Sequence, residues 1–215
     1  NWKKMRALSG GHLMHHIHEL DLVVSIMGTP HTVTMTGGNL AHRGEGFGDE
    51  DDMLFLQLEY ADGTHALLEY GNAFRWQEHY VLLEGDLGAI RLDMSDVGGT
   101  LRTREGEFHF LVHETAEEDA DRTRLNHRSE IDGSIAYGRP GLTMPRWLHS
   151  VMEKEMCVFH QAVRQGRPPI EYESLFTGKL ALDSMRTAEA ALRSLQENRK
   201  VRVSEIDERM SNHDT

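Results

Sequence analysis

Around Asp62-Gly63 the chain alternates in hydrophobicity twice over, and this pattern limits its fold more than any other stretch. Leu54, Leu56, Leu58 and Tyr60 face one way, while Phe55, Gln57 and Glu59 face the other. After the turn, Ala66, Leu68 and Tyr70 resume the alternation. A period of two marks a strand with one buried face, and Asp-Gly suits a two-residue type I′ turn, so an antiparallel hairpin is expected here. "EHYVLLEG" and "AIRLDM", flanking Gly85 to Gly88, repeat the design, as do "GTLRTR" and "EFHFLVH" on either side of Glu105-Gly106. Tight turns join antiparallel strands only, so the expected sheet is largely antiparallel, with one face covered and one open.

Helical periodicity lies on both sides of this run. Leu13, Ile17, Leu20, Val24 and Met27 recur at spacings of three and four, which predicts one helix from Gly11 to Met27 with Ser9 as its N-cap and Gly28 and Pro30 as its stop. His31 to Thr36 reads as a short strand, and Gly37 to Asp52 as a mobile loop rich in glycine and acid. Glu114 to Pro145 shows no periodicity and is expected to be a long functional loop, in which Tyr137 and Arg139 could close over a ligand. A second helix starts near Arg146 and stops at "RQGRPP"; a third runs from about Ser174 to Asn198; "KVRV" reads as an edge strand. Cys157 sits among Met156, Val158 and Phe159 and is expected to be a buried, inert thiol. The order of helix, strands, two helices and strand predicts an α+β fold, a largely antiparallel open-faced sheet with helices packed on one face. Residues 1–206 form a single domain in this reading, and 207–215 a frayed tail.

Composition narrows the function. Lys and Arg number 23 against 35 Asp and Glu, a formal net charge of −12, which repels phosphate backbones and anionic lipid surfaces. Neither nucleic acid nor membrane is expected as a partner. One cysteine precludes an intrachain disulfide and fits a cytoplasmic location. The chain begins at Asn1 without an initiator Met and enters structure at once, which leads to the expectation that a segment precedes it.

The chemistry concentrates in one run, "SGGHLMHHIHELDLV", where His12, His15, His16 and His18 fall within seven positions, followed by Glu19 and Asp21. On a continuous helix these imidazoles flank or oppose the apolar stripe, with His12 beside His16, and His15 beside His18 and Glu19. Three uses of such a face remain open: a solvated surface without chemistry, a metal site, and general acid/base catalysis. His12 and His16 have the i, i+4 spacing of zinc helices, and Asp21 or Glu19 could complete a donor set for a metal-dependent hydrolase or isomerase. "HELD" is nevertheless not the H-E-x-x-H of zinc proteases, and no second cluster with ligand spacing occurs. For acid/base work histidine suits proton transfer near neutral pH, and Asp21 could orient His18. Trp147, at the start of the second helix, could stack on a sugar ring or anchor a core.

The run "GGHLMHHIHELDLVVSIMG" resembles the segment that opens the C-terminal domain of the glucose-fructose oxidoreductase and inositol dehydrogenase family, Gfo/Idh/MocA. "LEYADGTHALLEYG", "EGDLGAIRLD" and the closing "AVRQGRPPIEYESLFTGKLALDSMRTAEAALRSLQENRKVRV" are similar to that domain's hairpin, its G-x-x-G strand pair, and its final helix, G-x-x-P, long helix and edge strand. The resemblance spans most of residues 9–203. It implies a substrate-binding and oligomerisation domain, homo-oligomeric through its sheet face, of a nicotinamide-dependent enzyme acting on a sugar or polyol hydroxyl. It implies His18 as the proton carrier, with His15 assisting, because Met14 stands where the family often has Asp. Trp147 and Asp21 are the expected substrate contacts. NAD or NADP would be held only by an N-terminal Rossmann domain: no strand here leads through G-x-G-x-x-G into a helix, and Gly44 to Gly48 lies in a loop followed by acids. A non-catalytic dimerisation module is the remaining reading.

Overall fold

The computed structural model describes residues 2–76, 78–127 and 145–206. The chain divides into two compact units, Asn1–Arg75 with Ile170–Thr215, and Trp76–Pro169. No helix among the described residues is long and apolar enough to cross a membrane. Tyr137, Arg139 and the tail 207–215 lie outside the described residues.

The first unit opens with three short helices, α1 (Arg6–Ser9), α2 (His12–His15) and α3 (His18–Met27). Its sheet comprises β1 (Thr32–Gly38), β2 (Met53–Glu59), β3 (His65–Gly71) and β8 (Val201–Arg202), in the order β3-β2-β1-β8 with every pairing antiparallel. Alternation in β2 buries Leu54, Leu56 and Leu58 and leaves Phe55 exposed, as period two requires. The buried face packs against α3 and against α7 (Lys179–Glu197), whose inner surface is Ala188, Ala190, Ala191, Ser184, Thr187 and Ser194. Small side chains let that helix lie close to the strands. The Ser194 hydroxyl fixes it there, accepting from the Met35 amide at 3.0 Å and donating to the Arg199 carbonyl at 2.6 Å.

The second unit is a four-stranded antiparallel meander of β4 (Tyr80–Gly85), β5 (Gly88–Asp93), β6 (Gly98–Thr103) and β7 (Gly106–Phe110). Two helices accompany it, α4 (Ala116–His127) and α5 (Arg146–Gln165). Its buried apolar residues among the described ones are few: Val97, Leu125 and Ala162. Tyr80, Leu82, Phe108 and Phe110 stay exposed on the strands, and Val151, Met156, Phe159 and Val163 on α5. Cys157 is exposed with them, because the stripe it belongs to is not covered.

The α+β class and the antiparallel pairing agree with the sequence reading, and several local features differ. The strands form two sheets, not one. The helix expected over 11–27 unwinds for a residue at His16, whose φ of −116° and ψ of 42° leave the helical region. Leu13 and Leu20 are buried on both sides of the break and Ile17 packs against the same core, so the apolar stripe survives and hides it from periodicity. The hairpin loop has three residues, not two: the Tyr60 amide bonds the Thr64 carbonyl, and the Gly63 amide turns back to the Tyr60 carbonyl with Gly63 at φ 89°. Asp62 selects this form by accepting the Thr64 amide at 3.0 Å and hydroxyl at 2.7 Å.

The expected loop after Glu114 begins as helix α4. Thr115 and Glu118 form a capping box, each side chain accepting the other's amide at 3.2 Å, and Glu117, Glu118 and Asp119 favour the first turn electrostatically. The third helix is interrupted at Gly178, φ 70°, between α6 (Glu173–Phe176) and α7. "KVRV" supplies β8, at the sheet edge as expected.

Candidate functional site

Gly10 and Gly11, at φ 83° and 98°, turn the chain from α1 into α2 and set the histidine run over the buried Leu13. His12 is only 8% exposed, contrary to a face pointing wholly away from the core. Its ring lies 4.6 Å from that of His16, and His16 lies 4.6 Å from His15. The His15 ring continues to Trp2, edge-on at 5.4 Å. Unwinding at His16 brings these side chains into one ladder. His18, on the first turn of α3, is exposed and lies outside these ring contacts.

Acids face the inner end of the ladder. Burial pushes the His12 imidazole below its ordinary pKa, against the pull of Glu50 and Asp51. Glu50 accepts the Ser9 hydroxyl, and its other oxygen takes the Asp51 amide at 3.1 Å. Asp51 is buried beside Arg6, with guanidinium and carboxylate 3.3 Å apart, and burial pushes its carboxyl up. Glu19 and Tyr70 complete the surroundings, and each has a buried oxygen without a hydrogen-bond partner.

The acidic loop is pinned at its end by Asp52. Its carboxylate accepts the amides of Leu40 at 2.7 Å, Ala41 at 2.9 Å and His42 at 2.6 Å. Burial works against the ionised form, but these backbone bonds and His42 outweigh it and hold the carboxyl below the usual range. At the other side of the loop Asp49 donates its amide to the Lys4 carbonyl and accepts the Arg6 amide. Sequence reasoning missed this clamp; the signal available was the run Asp49-Glu50-Asp51-Asp52 directly before a strand.

Of the other residues singled out from sequence, Asp21 accepts the Ser184 hydroxyl of α7 at 2.6 Å, an interaction that ties α3 to α7. Trp147 belongs to the second unit, half-buried, with the Arg122 guanidinium 4.8 Å above its ring and His113 at 5.8 Å. Asp119 organises that cluster, accepting the His113 ring nitrogen at 2.7 Å and the amides of Val112 and His113. The structure therefore brings His12, His15 and His16 together and assigns Trp147 to a separate unit. The second unit also carries an open groove of about 670 Å³ over Gly98 and Gly99, lined by Arg91, Thr100, His109 and Arg124.

Among the described residues no group of three or more His, Cys, Asp or Glu side chains is placed to hold a metal ion. Nor is there a nucleotide cradle among them: both sheets are antiparallel throughout, and Gly44 to Gly48 leads into Asp49 and Glu50.

Residues 1–203 match the oxidoreductase family, C-terminal alpha/beta domain. An uncharacterized oxidoreductase of Streptococcus pneumoniae is 54% identical over 207 residues, covering 96% of this chain and 56% of its own length. The 2,7-anhydro-N-acetylneuraminate hydratase of Mediterraneibacter gnavus is also 54% identical, over 96% of this chain and 55% of its own. The chain thus spans little more than half the length of these relatives. An oxidoreductase from Agrobacterium radiobacter, solved with NAD+, L-tartaric acid and magnesium, shares the fold at a TM-score of 0.60 and 16% identity, covering 89% of this chain and 48% of that one. With its two antiparallel sheets, its histidine-bearing opening helices and a match from residue 1 to 203, the chain belongs to the Gfo/Idh/MocA oxidoreductase family and carries that family's C-terminal α/β domain.

Proposed function

We propose that this chain is the substrate-binding part of an enzyme that acts on an anhydro sugar acid of the 2,7-anhydro-N-acetylneuraminate type. The observation that carries the reading is 54% identity, over 96% of this chain, to a relative named for that hydratase activity. Within the family's broader sugar and polyol chemistry, the name of that relative supports this one substrate class.

In this reading His18 is the proton carrier, exposed at the start of α3 where a bound hydroxyl can reach it. His15 assists from the end of α2. An imidazole titrates near neutrality, so it can take a proton from a carbinol oxygen and return one at working pH, a role worth roughly 10²–10⁴ in rate. Asp21, by accepting the Ser184 hydroxyl, ties the helix that carries His18 to α7. NAD or NADP, when bound, would supply hydride exchange at the carbinol carbon. The described residues do not fit that cofactor, so it is assigned to an N-terminal Rossmann domain. A cytoplasmic location and homo-oligomers formed through the open sheet face complete the proposal. The metal-dependent alternative has no donor set among the described residues.

The test uses the chain joined to its nucleotide-binding domain. Incubated with 2,7-anhydro-N-acetylneuraminate and NAD, it is expected to release N-acetylneuraminate, with no net nicotinamide reduction because adding water is redox-neutral. His18→Ala is expected to lower kcat by about 10²-fold or more. Undiminished turnover in that variant refutes the assignment of His18. Steady NADH accumulation on simple polyols, without hydration, refutes the substrate class.

A further inference from the structure

Three imidazoles in ring contact form a unit that single-residue reasoning does not describe. His12, His16 and His15 are spaced at 4.6 Å and 4.6 Å, with the end ring His12 buried, the middle ring His16 exposed and His15 half-buried. Two positive charges 4.6 Å apart repel enough to separate their titrations by roughly 0.7 to 2.7 pH units, between water-like and protein-surface dielectric. A proton on one ring of the ladder therefore disfavours a proton on its neighbour.

The charges around the ladder are fixed by four parts of the chain. Glu50 and Asp51 approach His12 from the segment before β2, and Arg6 of α1 partly neutralises Asp51. Glu19 acts from α3, with Tyr70 of β3 beside it. Desolvation works against a charged His12, while Glu50, Asp51 and Glu19 work for it. Held between these opposing influences, the inner ring can accept the proton when an outer ring gives it up.

We propose that His12 is a positioning residue for proton transfer: the His12-His16-His15 ladder holds a single shared proton, and His12 with Glu50 and Asp51 determines which ring carries it. The proton moves only between ring nitrogens within the ladder, and enters or leaves through the outer rings. The inference rests on the reading of this histidine face as the proton-carrying part of the enzyme, and it assigns a role to a buried ring.

Its test begins with the 215-residue chain labelled at histidine Cε1 and titrated by NMR. In the parent, the His12 resonance is expected to move in two steps. In the His15→Gln/His16→Gln variant it is expected to titrate in one step, with its midpoint raised by about 0.7 units or more. A single-step parent curve, or a variant midpoint within about 0.3 units of the parent's, overturns the proposal; either is read on folded protein and requires no activity. The second arm uses the chain joined to its nucleotide domain. Glu50→Gln is expected to shift the acid limb of the kcat/KM profile, and an unmoved limb overturns the proposal. Loss of sugar turnover in the unmodified enzyme would refute the functional reading, and the NMR midpoints would still decide the ladder.

Discussion

Asp52 gives the sharpest stability prediction. Its carboxylate is 2% exposed by residue and accepts three backbone amides, Leu40 on Oδ1 and Ala41 and His42 on Oδ2, with His42 Nδ1 at 3.1 Å. Hydrogen bonds to a charged acceptor contribute about 1.5–3 kcal/mol each, and three would sum to more than a single loop can lose. Leu40 and Ala41 are exposed, so their amides regain water when the carboxylate is removed. The net cost of Asp52→Ala is therefore about 2–4 kcal/mol. Asp52→Asn separates charge from shape. Its one oxygen can serve the two donors on the Oδ2 side, but its NH₂ then meets the Leu40 amide, donor against donor, so a cost of about 1–3 kcal/mol remains.

Because the folded pKa of Asp52 lies below its unfolded value, its contribution is complete above about pH 4 and declines as pH falls through the folded pKa. Urea unfolding followed by far-UV CD at pH 7 and at pH 3 measures both effects. Amide exchange at Leu40, Ala41 and His42 localises them. An Asp52→Ala variant within about 0.5 kcal/mol of the parent at pH 7, or an unchanged gap at pH 3, would refute the reasoning.

Three further outcomes follow from the packing. Leu56 is 1% exposed and sits opposite Met35 on one side and Leu68 on the other, so Leu56→Ala is expected to cost about 2–5 kcal/mol by chemical denaturation. Ser194→Ala leaves the buried Met35 amide without an acceptor and is expected to cost about 1–3 kcal/mol, whereas Ser194→Thr recovers part of this if the added methyl fits beside Ala190 and Ala191. His12 is buried with a lowered pKa, so the fold binds fewer protons there than the unfolded chain. Stability is expected to fall as pH drops below about 6.5, and His12→Gln to flatten that slope in urea titrations at pH 5 and pH 7.

The alternating strands and the apolar stripes were legible because each element carries its own period. Leu54, Leu56 and Leu58 face the core for the same reason that Leu13, Leu20 and Val24 do: one side of each element is apolar over its whole length. The three-residue hairpin loop depended on the Asp62 side chain reaching Thr64, a local contact that an Asp-Gly pair alone does not specify. Helix α4 was hidden because its surface is polar all round, although Thr115 and Glu118 had the spacing of a capping box.

The amino-acid order by itself determined the α+β class, the antiparallel pairing and the concentration of imidazoles ahead of α3, since these depend on patterns within a few residues. Only the tertiary structure decided which imidazoles act together. His12 is buried because the loop carrying Glu50 and Asp51, some forty positions away, folds back over α1 and is held there by Asp49 and Asp52. Burial and charge at a ring are sums over everything packed around it, and most of what surrounds His12 comes from parts of the chain that local periodicity does not connect to it.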